Sequence, residues 1–183
     1  IEFCQDVLTE IMAMFPGRYI HIGGDEAVKT QWKASVEIQQ MIRDKGLRDE
    51  SELQAWFTRQ IDAFLTAHGR RLVGWDEILE GGLAPGAVVM NWRGEKGGIV
   101  AAQAGHDVIM APTSHTYFDY YQGPRESEPL AIGGNLPLET VYQYEPIPAA
   151  LTPDQAKHVL GAQAQLWSEY IADAKHLQYM SYP

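Results

Sequence analysis

The sequence lacks features that several classes of protein require. Its one cysteine, Cys4, excludes an internal disulfide. The 14 basic side chains are outnumbered by 24 acidic ones, giving a formal charge of −10, whereas nucleic-acid binding needs a basic surface. No uninterrupted apolar run of about 18 residues occurs, so we expect neither a membrane span nor a membrane partner. Hydrophobic residues still make up 45% of the chain, which is enough to form a core.

Signatures of metal, nucleotide and serine-hydrolase sites are also missing. The six histidines are scattered, and none has a metal-ligand spacing such as His-x-x-x-His. Gly94, Gly97 and Gly98 are not followed by the Lys-Ser or Lys-Thr pair of a phosphate-binding loop. No Gly-x-Ser-x-Gly segment is present. We therefore expect no metal ion and no cofactor.

The sequence does contain an alternation of strand-like and helix-like segments. Apolar periodicity predicts helices over 1–15, 51–68, 97–104 and 170–180, and a short helix that begins at Thr152. Ser51 and Gln54 resemble a capping box at the start of the second helix. Strands are predicted over 18–22, 71–75, 87–92, 107–111 and 160–166, and a long loop over 112–150.

Strands that alternate with helices predict a parallel sheet. The side chains suited to catalysis or binding follow the carboxyl ends of these strands, where (β/α)-barrels have their sites. A complete (β/α)8 TIM barrel needs eight strands and ~250 residues. We therefore interpret residues 1–183 as one α/β domain, an incomplete (β/α)8 barrel of about five strand–helix units. A small open doubly wound sheet is the alternative.

The segment His21–Glu26, with the sequence His-Ile-Gly-Gly-Asp-Glu, is the most informative one. Two glycines permit a sharp turn after a strand, and two acids follow directly. If the turn brings both acids into one pocket, their mutual repulsion favours a protonated acid beside an ionised partner, as glycoside hydrolysis requires. The alternative is a helix N-terminus, where acidic residues are favoured by the helix dipole.

Aromatic residues next to acids follow three other strands. Trp75, Trp92 and Trp167 each end a predicted strand, and Glu169 shares a face with Trp167 if that strand continues. Sugar pockets use aromatic rings against pyranose rings and carboxylates for the hydroxyls. Tyr117 and Asp119 form a further cluster and share a face if their segment is extended. Core packing explains any one of these tryptophans, but not easily three at successive strand ends.

These segments together resemble the active-site motifs of family 20 glycoside hydrolases, the β-N-acetylhexosaminidases. The resemblance begins at His21–Glu26, with Trp32 six residues after Glu26, and covers essentially the whole chain. The later motifs follow in the family's order: Gly74-Trp75-Asp76-Glu77, Asn91-Trp92-Arg93-Gly94, Tyr117-Phe118-Asp119 and Gln163-Ala164-Gln165-Leu166-Trp167-Ser168-Glu169.

The resemblance implies a substrate-assisted mechanism in which the acetamido carbonyl of the sugar attacks the anomeric carbon and configuration is retained. Glu26 would be the general acid and then the base for water, and Asp25 would hold the acetamido N–H and stabilise the developing positive charge. Tyr117 would donate to the acetamido oxygen. The remaining positions would bind the sugar. Trp75, Trp92 and Trp167 would form the walls of its pocket, and Asp119 and Glu169 would bind the hydroxyls of the sugar. The partner would be an oligosaccharide that carries N-acetylhexosamine. The alternative is a non-catalytic protein or fragment that binds N-acetylhexosamine without hydrolysing it.

The sequence departs from the family pattern in two places. The family's sugar-gripping Arg and its His–Asp pair precede the signature, in strands that this chain lacks, and residues 130–134 (Leu-Ala-Ile-Gly-Gly) replace a further pocket Trp. Because a partial barrel exposes sheet edges, we expect self-association across the open edge or cover from the 112–150 loop. The chain begins within a predicted helix and not with Met, so we expect Ile1 to follow a boundary in a longer protein, and the family suggests export.

Overall fold

A computed structural model describes residues 1–182 of the chain. The chain divides into two compact units, of which the first comprises Ile1–Met90 and the second begins at Asn91. Parallel strands alternate with helices in both units. In the described residues, no helix is long and apolar enough to cross a membrane.

The first unit is built on parallel strands that run in chain order. Its strands are β1 (Tyr19–His21), β2 (Arg71–Trp75) and β3 (Val88–Asn91), the last of which ends on the first residue of the second unit. Ile20 is in register with Leu72, and Val73 with Val88. Almost every residue of β2 and β3 is buried, as in parallel strands covered on both faces, whereas only Ile20 is buried in β1. Self-association across an open sheet edge stays a prediction.

Four helices accompany these strands. They are α1 (Glu2–Met14), α2 (Thr30–Ala34), α3 (Val36–Asp44) and α4 (Glu50–Ala67). The long helix α4 packs on β2 and buries Leu53, Ile61 and Leu65 against the core. The predicted capping box is wrong, because Asp49 is the N-cap of α4 and accepts from the Glu52 N–H at 2.9 Å.

The helices α2 and α3 are absent from the predicted elements. Helix α2 has five residues and is too short for a periodic pattern. In α3, Ile38, Met41 and Ile42 do lie at helical spacing, so the sequence contains a signal for this helix, although only Ile42 is buried. The N-cap of α3 is well formed, since the Ser35 hydroxyl accepts from the Ile38 N–H at 3.3 Å.

The second unit pairs β4 (Val108–Met110) with β5 (Val159–Ala162) in parallel. Its helices are α5 (Lys96–Gln103), α6 (Thr113–Thr116), α7 (Leu138–Tyr142), α8 (Pro153–Ala156) and α9 (Ala174–Ser181). The predicted start at Thr152 is confirmed, because Thr152 and Gln155 form a capping box with Pro153 in the first turn. The 112–150 segment is not a continuous loop, since α6 and α7 lie within it.

The prediction of a strand over 160–166 is wrong in its second half. The strand β5 ends at Ala162, and its register against β4 shifts between Val108 and Ile109. Gly161, in a conformation that favours glycine (φ 148°), lies at this irregularity. Only Gln165 pairs again, as an isolated bridge to Tyr117, so Trp167 and Glu169 do not lie on a strand. The helix predicted over 170–180 likewise begins only at Ala174, after the N-cap Asp173.

Candidate active site

In the first unit, Asp25 and Glu26 follow β1 through Gly23 and Gly24, a segment that we call the turn. Gly23 and Gly24 have φ values of 74° and 104°, in the region that favours glycine. Glu26 has a φ of 48°, which a non-glycine residue adopts only when its surroundings hold it there. Both acidic side chains are exposed. The alternative of a helix N-terminus is wrong, because the next helix begins at Thr30 with Lys29 as its N-cap.

The turn is held by hydrogen bonds on both sides. The Trp75 N–H donates to the Gly23 carbonyl at 2.9 Å, and the Gly23 N–H donates to Nδ1 of His21 at 3.0 Å. A Cβ atom added to Gly24 would lie 2.9 Å from Cγ2 of Ile78, closer than real contacts allow. Glycine is therefore required at position 24 both by its backbone conformation and by the packing of Ile78.

His21 and Trp75 form an aromatic pair beside this turn. Their ring centroids lie 4.8 Å apart with an interplanar angle of 63°, and Trp75 is buried. Desolvation lowers the pKa of the His21 imidazole, and the Asp25 carboxylate opposes that shift. A neutral His21 keeps Nδ1 as an acceptor, which is the state that the Gly23 N–H requires. The first unit thus brings Trp75, His21 and the Asp25 charge together.

No sequence motif assigns Gln54 to this site, yet its side chain reaches the turn. Nε2 of Gln54 donates to the Gly24 carbonyl at 2.8 Å. The two residues are 30 positions apart in the chain. No local sequence pattern could have indicated this contact, since it depends on how α4 packs against the segment that follows β1.

In the second unit, Trp92 and Tyr117 form a stacked pair. Trp92 directly follows β3, and its ring centroid lies 6.5 Å from that of Tyr117 with an interplanar angle of 29°. The Tyr117 ring is buried. Two backbone bonds of 2.8 Å fix this segment, because the Gln165 N–H donates to the Thr116 carbonyl and the Phe118 N–H donates to the Gln165 carbonyl.

The structure corrects the expected geometry of Tyr117 and Asp119. Their segment is not extended, since the Tyr120 N–H donates back to the Tyr117 carbonyl at 3.1 Å and closes a turn. Both side chains are nevertheless buried, and Asp119 is only 3% exposed. Oδ1 of Asp119 has no hydrogen-bond partner among the described residues. Burial raises the pKa of Asp119 to about 6, backbone hydrogen bonding opposes the shift, and the Glu169 charge adds to it.

Trp167 and Glu169 lie in irregular chain after β5. Trp167 is 42% exposed, and Glu169 is also exposed. Glu169 is close enough for its charge to act on Asp119, so these two acids belong to one neighbourhood of the second unit. In residues 130–134, where the expected Trp is missing, Gly134 packs against the ring of Tyr120 without room for a side chain.

No metal centre accompanies these residues. Across residues 1–182, no group of three or more His, Cys, Asp or Glu side chains could hold a metal ion. The residues that the sequence predicts for the site offer carboxylates, one phenol and aromatic rings. Such a set can transfer protons, donate hydrogen bonds and bind the apolar faces of a sugar.

The parallel strands, the alternating helices and the acids after β1 define part of a (β/α)-barrel of the glycoside hydrolase class. The chain belongs to glycosyl hydrolase family 20, because the model of that family's catalytic domain matches residues 1–183. Over its whole length the chain is 55% identical to a β-hexosaminidase of Porphyromonas gingivalis, of which it covers 24%. It is 35% identical to a β-hexosaminidase of Vibrio furnissii, of which it covers 30%.

Solved structures agree with this assignment. The exo-β-N-acetylglucosaminidase of Vibrio harveyi, solved in complex with N-acetylglucosamine, matches with a TM-score of 0.87 and 34% identity. All of this chain is aligned, with 29% of the Vibrio harveyi chain. The expected partial (β/α)8 barrel is thereby confirmed. The chain spans about a quarter to a third of the length of these relatives.

Proposed function

We propose that the protein containing this chain removes terminal β-linked N-acetylhexosamine, either N-acetylglucosamine or N-acetylgalactosamine, with retention of configuration. The observation that carries the proposal is the turn after β1, which presents exposed Asp25 and Glu26 together. Membership of family 20 and the names of the relatives support it. The acetamido group of the sugar itself serves as the nucleophile, as substrate-assisted enzymes require.

In this proposal the two neighbouring acids have different tasks. Glu26 protonates the glycosidic oxygen as the aglycone leaves and later takes a proton from the attacking water. Asp25 accepts from the acetamido N–H and stabilises the positive charge that develops as the carbonyl oxygen attacks the anomeric carbon. The backbone allows both acids to serve one pocket, because Glu26 has a φ of 48° and is not extended, so the rule that consecutive strand residues point to opposite faces does not apply to this pair.

The remaining predicted residues bind the sugar in this proposal. Tyr117 donates its hydroxyl to the acetamido oxygen. Trp75, Trp92 and Trp167 pack against the acetamido methyl group and the ring face, while Asp119 and Glu169 accept from ring hydroxyls. The unpaired Oδ1 of Asp119 supports its part, because a buried acceptor without a partner is satisfied when a hydroxyl arrives.

The test is turnover of aryl β-N-acetylglucosaminide and β-N-acetylgalactosaminide by the full-length gene product that carries these residues. We expect release of the aryl group, and proton NMR of the first product formed should show the β-anomer. The corresponding aryl β-glucoside, which has no acetamido group, serves as the control and should not react. Hydrolysis of all three substrates, or an α-anomer as the first product, would contradict the substrate-assisted mechanism.

Substrate binding should depend on pH through Asp119. The pKa of Asp119 is about 6, and only its ionised form accepts from a sugar hydroxyl with both oxygens. Below about pH 6 the Kd for N-acetylglucosamine should therefore rise by up to tenfold for each unit that the pH falls, which calorimetry can measure. The Asp119→Asn variant should bind more weakly and lose this slope. An unchanged slope in the variant would assign the pH dependence to another group.

Asp119 should also make the stability of the fold depend on pH, in the opposite direction to substrate binding. The pKa of Asp119 is about 6 in the fold against an ordinary value of 3.8, so the folded state binds more protons than the unfolded state between these pH values. The free energy of unfolding therefore falls as pH rises through this window. Asp119→Asn should raise it near neutral pH, where the wild type has a buried carboxylate. Weaker binding together with greater stability is typical of a residue kept for function.

A further inference from the structure

Gln54 is a buried polar residue that connects helix α4 to the turn before the two acids. Its side chain is 8% exposed, and Nε2 donates to the Gly24 carbonyl at 2.8 Å. The neighbours Leu53 and Ala55 are buried as well, so this part of α4 is firmly packed. We propose that Gln54 is a positioning residue that sets the placement of Asp25 and Glu26; this rests on the proposed function.

The hydrogen bond from Gln54 can position Asp25 because the Gly24 carbonyl that accepts it directly precedes Asp25 in the chain. The carbonyl of Gly24 and the N–H of Asp25 belong to one planar peptide unit, so fixing one fixes the other. Through this unit Gln54 sets the direction in which the chain enters Asp25. Glu26 follows with a φ of 48°, a conformation that surrounding contacts must maintain.

The other described hydrogen bonds of the turn are made to Gly23, whereas the bond from Gln54 is made to the Gly24 carbonyl. The Trp75 N–H and His21 Nδ1 both bind Gly23, one residue earlier. Ile78 packs against Gly24 by van der Waals contact and gives no direction to its carbonyl. Among the described contacts of Gly24, the amide of Gln54 is therefore the one that orients the link to the acids.

The hydrogen bonding of Gln54 itself also argues against a purely structural role. Its Oε1 is buried and has no hydrogen-bond partner among the described residues. A buried acceptor without a partner destabilises a fold, and an apolar side chain of similar size would avoid that penalty. The benefit of glutamine at this position is therefore its bond to the Gly24 carbonyl.

The test is Gln54→Leu in the full-length protein, with an aryl β-N-acetylglucosaminide as substrate. Leucine removes the bond to Gly24 and also the unpaired Oε1, so we expect Tm to stay within a few degrees of the wild type. The kcat should fall about ten- to a hundredfold through misplaced catalytic groups, while KM changes about threefold or less. A wild-type kcat in the folded variant would overturn the proposal.

Thr58→Val is the matched control. Thr58 lies one turn further along α4, is equally buried, and its hydroxyl donates within the helix to the Gln54 carbonyl at 3.0 Å. We expect its kcat to stay within about twofold of the wild type. Equal losses of kcat in both variants would assign the effect to packing of α4 and overturn the positioning role.

Gln54→Glu gives a second measurement that does not depend on the leucine variant folding. An ionised carboxylate repels the Gly24 carbonyl, whereas a protonated one can donate to it, and burial favours the protonated form. The kcat of Gln54→Glu relative to wild type should therefore rise as pH falls, and a flat ratio would count against the proposal. If Glu26→Gln is inactive while both Gln54 variants match the wild type, this inference fails and the proposed function stands. If Glu26→Gln retains normal activity, the proposed function fails.

Discussion

Replacement of Glu26 by glutamine should reduce kcat for an aryl β-N-acetylglucosaminide by about 10³-fold or more, with little change in Tm. The loss follows from the proposed role of Glu26 as general acid, since a positioned proton donor contributes typically 10²–10⁴-fold to the rate. Glutamine has the same shape but cannot deliver a proton to the glycosidic oxygen. Stability should be unaffected because the Glu26 side chain is exposed.

The chemistry of the leaving group provides the sharpest check on this assignment. A 2,4-dinitrophenolate leaves without protonation, so the variant should retain much more of its first-step rate on that substrate than on a 4-nitrophenyl or disaccharide substrate. Glu10→Gln, which changes an exposed carboxylate on α1, is the control and should behave as wild type on all of them. Normal turnover of the disaccharide by Glu26→Gln would show that another group supplies the proton.

The parts of this molecule that the sequence predicts are those governed by local chemistry. The turn at Gly23 and Gly24 follows from two glycines between a strand and two acids, and the helix start at Thr152 from its capping box. The strand β2 has the bounds predicted for it, because Leu72, Val73 and Trp75 form a short apolar segment between Gly69 and the acidic residue Asp76. In each case a few neighbouring residues determine the outcome.

The features that the sequence does not predict depend on contacts between distant segments. The early end of β5 accompanies a register shift against β4, which apolar periodicity alone cannot reveal. Asp119 lies in the segment predicted as a loop, yet it is buried, and this burial is the main reason why its pKa is raised. The charge of Glu169, 50 positions later in the chain, adds to the rise. The bond between Gln54 and Gly24 joins a helix interior to a turn, where sequence patterns carry no information about partners.

Asp25→Asn should produce a loss of another kind, about 10²- to 10³-fold in kcat with a modest change in KM. Asparagine can still accept from the acetamido N–H through its carbonyl oxygen, so ground-state binding is largely kept. It has no negative charge to stabilise the positive charge that develops on the acetamido group, and such electrostatic contributions are made chiefly in the transition state. Steady-state kinetics on a series of aryl glycosides measures both parameters.

The pattern across leaving groups distinguishes the two acids. In the proposed mechanism, attack by the acetamido oxygen precedes or accompanies every departure of a leaving group. Asp25→Asn should therefore slow good and poor leaving groups by similar factors, unlike Glu26→Gln. A thiazoline that mimics the cyclised intermediate should bind Asp25→Asn far more weakly than wild type, since transition-state-like ligands report the lost charge. A glycosyl group found covalently attached to Asp25 by mass spectrometry would contradict this role, because it would make Asp25 the nucleophile and leave the acetamido group without its proposed task.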